Sequence, residues 1–302
     1  MRQWGVRWKG SLPGGRLGRA GHQESIVHQT GGAVHYRVET RMLSDIGRQR
    51  SSNQDSFAFI CPGDLLQRQR RGVLTVIADG MGGHNGGEVA SALAVETICQ
   101  NYFATPGADP GTALVAAMRE ANRTIIRATE AEPALAGMGT TATALVLVGE
   151  LVVFAHVGDS RLYRCLDGRC SQLSEDQTVA AEMVRSGLLS VAQARHHPAR
   201  NVLLSSLGTA HRLRVVAQHC APPVIGERFV LCSDGLWESI DGEEMAAIVG
   251  RQAPAMACRR LVELALERDG SDNISLAIVS IEPAAVDHDP ASEPPAVSDA
   301  AG

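Results

Sequence analysis

Thr141-Ala142-Thr143-Ala144-Leu145-Val146-Leu147-Val148, Gly149-Glu150, Leu151-Val152-Val153-Phe154-Ala155-His156-Val157 is the stretch that decides the architecture. Two nearly continuous apolar runs are joined by two residues, which reads as a tight hairpin. A strand wetted on one face alternates apolar with polar residues, and these runs do not, so both their faces are buried. Outward from the hairpin, shorter runs rich in Val, Ile, Leu or Phe recur at 56–60, 73–78, 161–165, 228–232 and 274–281. Each is bounded by Gly, Asp or Ser, as strands are.

Helical patterns lie between these strands. Over 87–103 the apolar stripe is Val89, Ala92, Val95, Cys99 and Tyr102; over 112–130 it is Leu114, Ala117, Ala121, Ile125 and Ala128. Asp241 with Glu244 forms a capping pair for a third helix, and 255–267 reads as a fourth. Strands in runs with helix pairs inserted between them predict an α+β fold, two strand layers with helices outside. No internal repeat interrupts it.

Composition narrows the function classes. The 302 residues are 44% hydrophobic and 20% charged, with a net charge of -5. That lacks the basic excess of a nucleic-acid binder. No apolar run is long enough for a membrane span, and the N-terminus lacks a signal-peptide core, so the chain reads as cytoplasmic. Seven cysteines without a C-x-x-C pair read as free thiols in a reducing compartment. Residues 1–34 (Gly, Arg, Gln, His) and 283–302 (Pro, Ala, Asp, Ser) read as a disordered extension and a disordered acidic tail, leaving 35–282 as the folded domain.

Four aspartates stand apart from the rest. Asp79 follows the strand at 73–78, Asp159 follows 152–157 and Gly158, Asp234 follows Cys232-Ser233, and Asp272 precedes Asn273 and the strand at 274–281. A strand end can aim a side chain into a shared cleft. A single Asp-Gly is more often a turn, and Asp167-Gly168 and Asp241-Gly242 read as turns. Several carboxylates gathered together repel, and become tolerable with cations between them. An all-oxygen ligand set suits Mg²⁺ or Mn²⁺ rather than zinc.

Six motifs in order then carry a resemblance: Gly47-Arg48-Gln49-Arg50-Ser51-Ser52-Asn53-Gln54-Asp55, Ala78-Asp79-Gly80-Met81-Gly82-Gly83-His84, Gly139-Thr140-Thr141, His156-Val157-Gly158-Asp159-Ser160-Arg161, Cys232-Ser233-Asp234-Gly235-Leu236 and Ser271-Asp272-Asn273. The chain resembles the PP2C-type (PPM) metal-dependent protein serine/threonine phosphatases, bacterial members above all, over about residues 40–281. The resemblance implies a four-layer α-β-β-α sandwich of antiparallel sheets flanked by helix pairs. It implies two Mn²⁺ or Mg²⁺ ions and a third, weaker position. Asp79 would bridge the two ions, Gly80 would offer its carbonyl to one, and Asp234 and Asp272 would complete the other. Asp159 with Asp234 matches the third position. Arg50 matches the arginine that grips the phosphate, and Asp55 the acid that holds metal-bound water.

The expected activity is hydrolysis of phosphoserine and phosphothreonine in proteins by a metal-bridging hydroxide, without a phosphoenzyme. About +4 of metal charge against about -3 of carboxylate leaves an excess that favours a phosphate dianion. Metals about 3.5–4 Å apart can hold a hydroxide in line with phosphorus. The catalytic set is then Arg50, Asp79 and Asp234. Relatives in animals carry a histidine where this chain has Met81. His84 is a candidate acid or a packing residue of the glycine turn, and a metal-bound water is the other candidate donor. Gln54 replaces a common glutamate. The segment 174–207 resembles the family's flap, with Ser174/Gln177 and Ser190/Gln193 as helix caps, and His196, His197 and Arg200 either line a polar surface loop or touch the phosphopeptide. The expected partners are phosphoprotein substrates, a serine/threonine kinase and its targets, met by a monomer with no nucleic acid or membrane. The alternatives are an inactive binding or regulatory module on the same fold, and a phosphatase of small phosphoesters.

Overall fold

The computed structural model describes residues 21–27, 36–82, 86–105, 107–209 and 213–284. Strands β1 (Gly21–Val27), β2 (Tyr36–Asp45) and β3 (Asp55–Ile60) come first, then helix α1 (Leu65–Arg71) and β4 (Val73–Met81). The helices α2 (Gly86–Ala104) and α3 (Pro110–Ala131) follow, then β5 (Gly139–Thr140), β6 (Ala142–Val148), β7 (Leu151–Val157), β8 (Arg161–Leu166) and β9 (Arg169–Gln172). After α4 (Val179–Arg185) and α5 (Val191–Ala194) come β10 (Val216–Cys220), β11 (Arg228–Cys232), α6 (Asp234–Trp237), α7 (Gly242–Arg251), α8 (Pro254–Arg268) and β12 (Ile274–Pro283).

The strands form two antiparallel sheets, ordered β1-β2-β12-β11-β8-β9 and β10-β7-β6-β4-β3, with β5 paired to β4. The predicted hairpin is β6–β7, with Val148 opposite Leu151. Its strands are buried on both faces because side chains alternate between two cores. Ala144, Val146, Val153 and Ala155 meet α2 and α3, whereas Leu145, Leu147, Val152 and Phe154 face the other sheet. The same division splits β11, with Val230 and Cys232 toward α7 and α8, and Phe229 and Leu231 inward. Three apolar layers between four structural layers are the expected α-β-β-α sandwich.

Local chemistry explains the helix ends. Asp109 accepts from the Thr112 amide with Pro110 at the first helical position of α3, and Asp241 accepts from the Glu244 amide to start α7. Ser190 and Gln193 make the reciprocal capping box of α5 as expected. Ser174 does not cap: its hydroxyl accepts from the Leu162 amide, and Thr178 caps α4. The stripe expected for α3 is largely the buried one. On α2 the expected stripe is the buried face only in part: Val95 and Tyr102 are buried, Val89, Ala92 and Cys99 are half-buried, and Ala90, Ala94 and Ile98 are buried instead, because this helix lies against both the sheet and α3.

Two findings depart from the sequence reading. Gly21–Val27, read as part of a disordered extension, forms β1 and pairs residue by residue with β2. Its sequence lacks a strand-like apolar pattern, and backbone pairing needs none. Cys165 and Cys170, read as free thiols, are joined by a disulfide, while Cys61, Cys99, Cys220, Cys232 and Cys258 are free. Asp167 (φ 50) and Gly168 (φ 73) form a two-residue left-handed turn that sets the two cysteines directly opposite, Cα to Cα 4.0 Å.

Candidate functional site

Strand register brings five aspartates to one end of the sandwich. Asp55 opens β3 directly opposite Asp79 on β4. The end of β7 lies on the same side, since Val157 pairs with Ala142 at the start of β6, and Asp159 follows it. In the other sheet Cys232 ends β11 opposite Leu276 near the start of β12, so Asp234 and Asp272 reach the same end. Asp55 and Asp79 face each other as a like-charged cross-strand pair, an arrangement that costs stability unless something else compensates it.

The backbone around each acid is tightly held. The Asp79 amide donates to Thr141 Oγ1 (2.9 Å), which lies 2.7 Å from Ser160 Oγ. Ser233 Oγ donates to Asp55 Oδ2 at 2.8 Å, tying one sheet to the other. Gly80 tolerates no side chain, because a Cβ there would strike the carbonyl oxygens of Gly87 and Gln54.

Enclosure pushes the carboxyls up. Asp55 rises to about 7, first through burial and then, against the opposing hydrogen bonds of Ser275 and Ser233, through Asp234 and Asp272. Asp79 lies well above the usual range through desolvation, then Asp234, Asp55 and Asp159. Asp159 is also raised well above it by burial and then Asp234, and Asp234 to about 6 by burial and then Asp272. Such shifts mean that the site disfavours accumulated negative charge. Asp55 Oδ1 and Asp234 Oδ1 are buried without a partner.

Arg50 stands at the rim, half exposed, with its Nη2 2.6 Å from Asp272 Oδ2. Asn273 holds the loop that carries it: Asn273 Nδ2 donates to Ile46 O (2.9 Å) and Ser52 O (3.0 Å), and Oδ1 accepts from the Gln54 amide (2.8 Å). Gly47 sits at φ 81 beneath the Asp272 carbonyl, a conformation and a clearance that favour glycine. The flap residues His196 and Arg200 are exposed and His197 is half-buried; Arg200 Nε is 3.6 Å from Glu238 Oε1, beside α6. His84 lies outside the described residues.

The donor set fits a hard divalent cation: oxygen atoms only, two of them orphaned, and repulsion that a cation would relieve. Among the described residues no three His, Cys, Asp or Glu side chains are drawn together tightly enough to hold a metal alone. Asp272 is engaged by Arg50, and a Gly80 carbonyl or water would have to share the coordination.

Residues 47–266 match the family model described as Protein phosphatase 2C. This chain belongs to the protein phosphatase 2C family. It is 35% identical over 246 residues to the serine/threonine protein phosphatase PstP of Mycobacterium tuberculosis, covering 82% of this chain and 45% of that protein; the chain thus spans about half the length of that relative. It is 32% identical over 247 residues to the serine/threonine phosphatase stp of Listeria innocua, covering 80% of this chain and 95% of that one. Its fold matches the solved catalytic domain of PstP in complex with two manganese ions, with a TM-score of 0.70 and 32% identity over 81% of this chain and 98% of that one.

Within this protein phosphatase 2C fold, the sequence reading missed the supporting polar residues. Thr141, Ser160, Ser233 and Asn273 all sit inside the quoted motifs, and adjacency to a strand-end aspartate was the available signal. No helix among the described residues is long and apolar enough to cross a membrane.

Proposed function

We propose that this chain hydrolyses phosphoserine and phosphothreonine in proteins, with two manganese or magnesium ions at the aspartate cluster and a third at Asp159 and Asp234. One observation carries the reading: Asp55, Asp79 and Asp234 are enclosed together from both sheets and raise one another, beside Asp272, which the accessible Arg50 pairs. Asp79, the Gly80 carbonyl, Asp234 and Asp272 would hold the two ions, and Asp55 would act on them through water. Once bound, the ions would supply Lewis acidity toward the phosphoryl oxygens and lower the pKa of water.

The chain's own residues do the rest. Arg50 offers a planar fork to the phosphate. Its pair with Asp272 is solvent-exposed and contributes about 0–1 kcal/mol, so a phosphate dianion can displace it. Ser233 fixes one oxygen of Asp55 and leaves the other to turn toward the cluster. Cys232 is buried and its thiol is pushed up to about 12, which removes it as a nucleophile. His196, His197 and Arg200 present donors on the flap to the peptide around the phosphorylated residue.

The same reading makes this a cytoplasmic monomer that opposes a serine/threonine kinase, its domain spanning 35–282 together with β1. The names of the relatives support a protein substrate. The full chain is expected to release phosphate from a phosphothreonine peptide only with Mn²⁺ or Mg²⁺. Asp79→Ala is expected to remove that activity while leaving the circular dichroism spectrum unchanged. Retained activity in Asp79→Ala would sink the assignment.

A further inference from the structure

Trp237 ends α6, one helical turn after Asp234, and it reaches across to the other candidate ligand loop. Its indole Nε1 donates to the main-chain oxygen of Asp159 at 3.0 Å. The next residue, Ser160, is tied through Thr141 Oγ1 to the Asp79 amide (2.7 and 2.9 Å). The Asp159–Ser160 segment is thus held from both sides, by the segment that bears Asp79 and by the helix that bears Asp234.

The indole is itself held. The Arg161 guanidinium lies 3.5 Å from its ring centroid. Arg161 is fixed by a bidentate pair to Asp176 (Nε to Oδ1 2.9 Å, Nη2 to Oδ2 2.6 Å) and by Tyr163 Oη at 3.0 Å. Asp176 belongs to the flap segment, so a flap residue abuts the group that orients the ring.

We propose that Trp237 is a positioning residue: its N–H sets the Asp159 carboxylate against that of Asp234, and the Arg161–Asp176 pair links that spacing to the flap. This rests on the metal-dependent reading above. A cation held by these two acids needs them at one separation, and outer groups that fix ligand orientation change metal affinity by about 10–100-fold when lost. Packing alone would need the ring but not its N–H.

The test uses the full chain, with Mn²⁺ as the probe, in calorimetric titrations of the parent, Trp237→Phe, Asp159→Asn and their combination. Trp237→Phe keeps an aromatic face for Arg161 and removes the donor. It is expected to weaken by about tenfold the ion that Asp159→Asn removes, to leave the other ions in place, and to add nothing in the combination. A lowered melting temperature with unchanged Mn²⁺ affinity assigns Trp237 to packing and overturns the proposal. If Trp237→Phe does not fold, Asp176→Asn, which loosens Arg161 and spares the indole N–H, must weaken the same ion; an unchanged affinity there overturns it equally. A parent chain that binds no Mn²⁺ overturns the metal-dependent reading itself, whereas a parent that binds normally beside an unaltered Trp237→Phe overturns only the role of Trp237.

Discussion

Two acids flank strand β11, and they meet opposite fates. Glu227 precedes the strand and is 0% exposed; Asp234 follows it at the other end of the sandwich. Each keeps one oxygen without a partner. Glu227 receives Arg164 Nε at 3.0 Å and Nη2 at 2.6 Å on its other oxygen, and that arginine also donates to Ala221 O and Pro222 O. Asp234 instead meets Asp79, Asp159, Asp55 and Asp272. The basic side chain that lowers Asp159, Arg161, is already committed to Asp176. Burial of an acid is therefore no mark of function by itself. Burial without internal compensation leaves an electrostatic debt that a bound cation can settle.

Removing charge should act oppositely at the two ends. Arg164→Ala strands a buried carboxylate and is expected to cost about 3–5 kcal/mol in urea unfolding, with Mn²⁺ affinity unchanged. Asp234→Ala is expected to lower Mn²⁺-dependent hydrolysis more than about 100-fold, since even outer-shell losses reach that size. The metal-free melting temperature of that variant should hold or rise, because one repelling charge is gone. A destabilised Asp234→Ala beside an indifferent Arg164→Ala would reverse the comparison.

The next effect is on pH dependence. Asp55 rises from 3.8 to about 7 and Asp234 from 3.8 to about 6, so the folded chain binds more protons than the unfolded one between those values. The stability they contribute is complete below the unfolded pKa and is lost as pH rises through the folded ones. Buried His156 runs the other way: its imidazole falls from 6.5 to about 4, chiefly by desolvation, so its contribution is lost as pH drops through about 4. Two acids titrating upward, with Asp79 and Asp159 shifted likewise, outweigh one imidazole. Chelator-treated protein should melt at a lower temperature at pH 8 than at pH 5.5, and saturating Mn²⁺ should invert that order, because the ion binds only the folded, deprotonated cluster. A chelated chain that gains stability up to pH 8 would contradict this account.

How much of this was legible follows from where each signal lives. The hairpin over β6 and β7 is legible because strands buried twice cannot alternate, and α3 shows a single stripe because only one face of it is buried, against α2 and the sheet. Strand β2 carries alternate burial from Tyr36 to Met42, but Thr40 occupies an inward position and weakens the apolar pattern. The disulfide was within reach: reading Asp167-Gly168 as a two-residue turn already places Cys165 opposite Cys170. At the candidate site the aspartates were visible at strand ends, whereas Trp237, Asn273 and Ser233 act through distant backbone or side-chain atoms that only the packed sheets bring near.

The smallest expected effect separates two aspartates that look alike in sequence. Asp234-Gly235 and Asp241-Gly242 are both Asp-Gly pairs that open a helix. Asp241 uses its side chain locally, accepting from the Glu244 amide at 2.9 Å, and it can do so from the surface. Asp234 lies one position further in, as the first residue of α6 after the N-cap Ser233, and faces the cluster. Asp241→Ala should cost about 1 kcal/mol, the usual worth of an N-cap, with Asp241→Ser recovering most of it. Mn²⁺ affinity and hydrolysis should not move in either variant. At Asp234 the same pair of substitutions should behave differently: serine keeps a hydroxyl oxygen but supplies no carboxylate, so it should fail to bind Mn²⁺ as completely as alanine does. If Asp234→Ser bound Mn²⁺ as the parent does, no carboxylate would be needed at that position, and the contrast between the two ends of β11 would lose its basis.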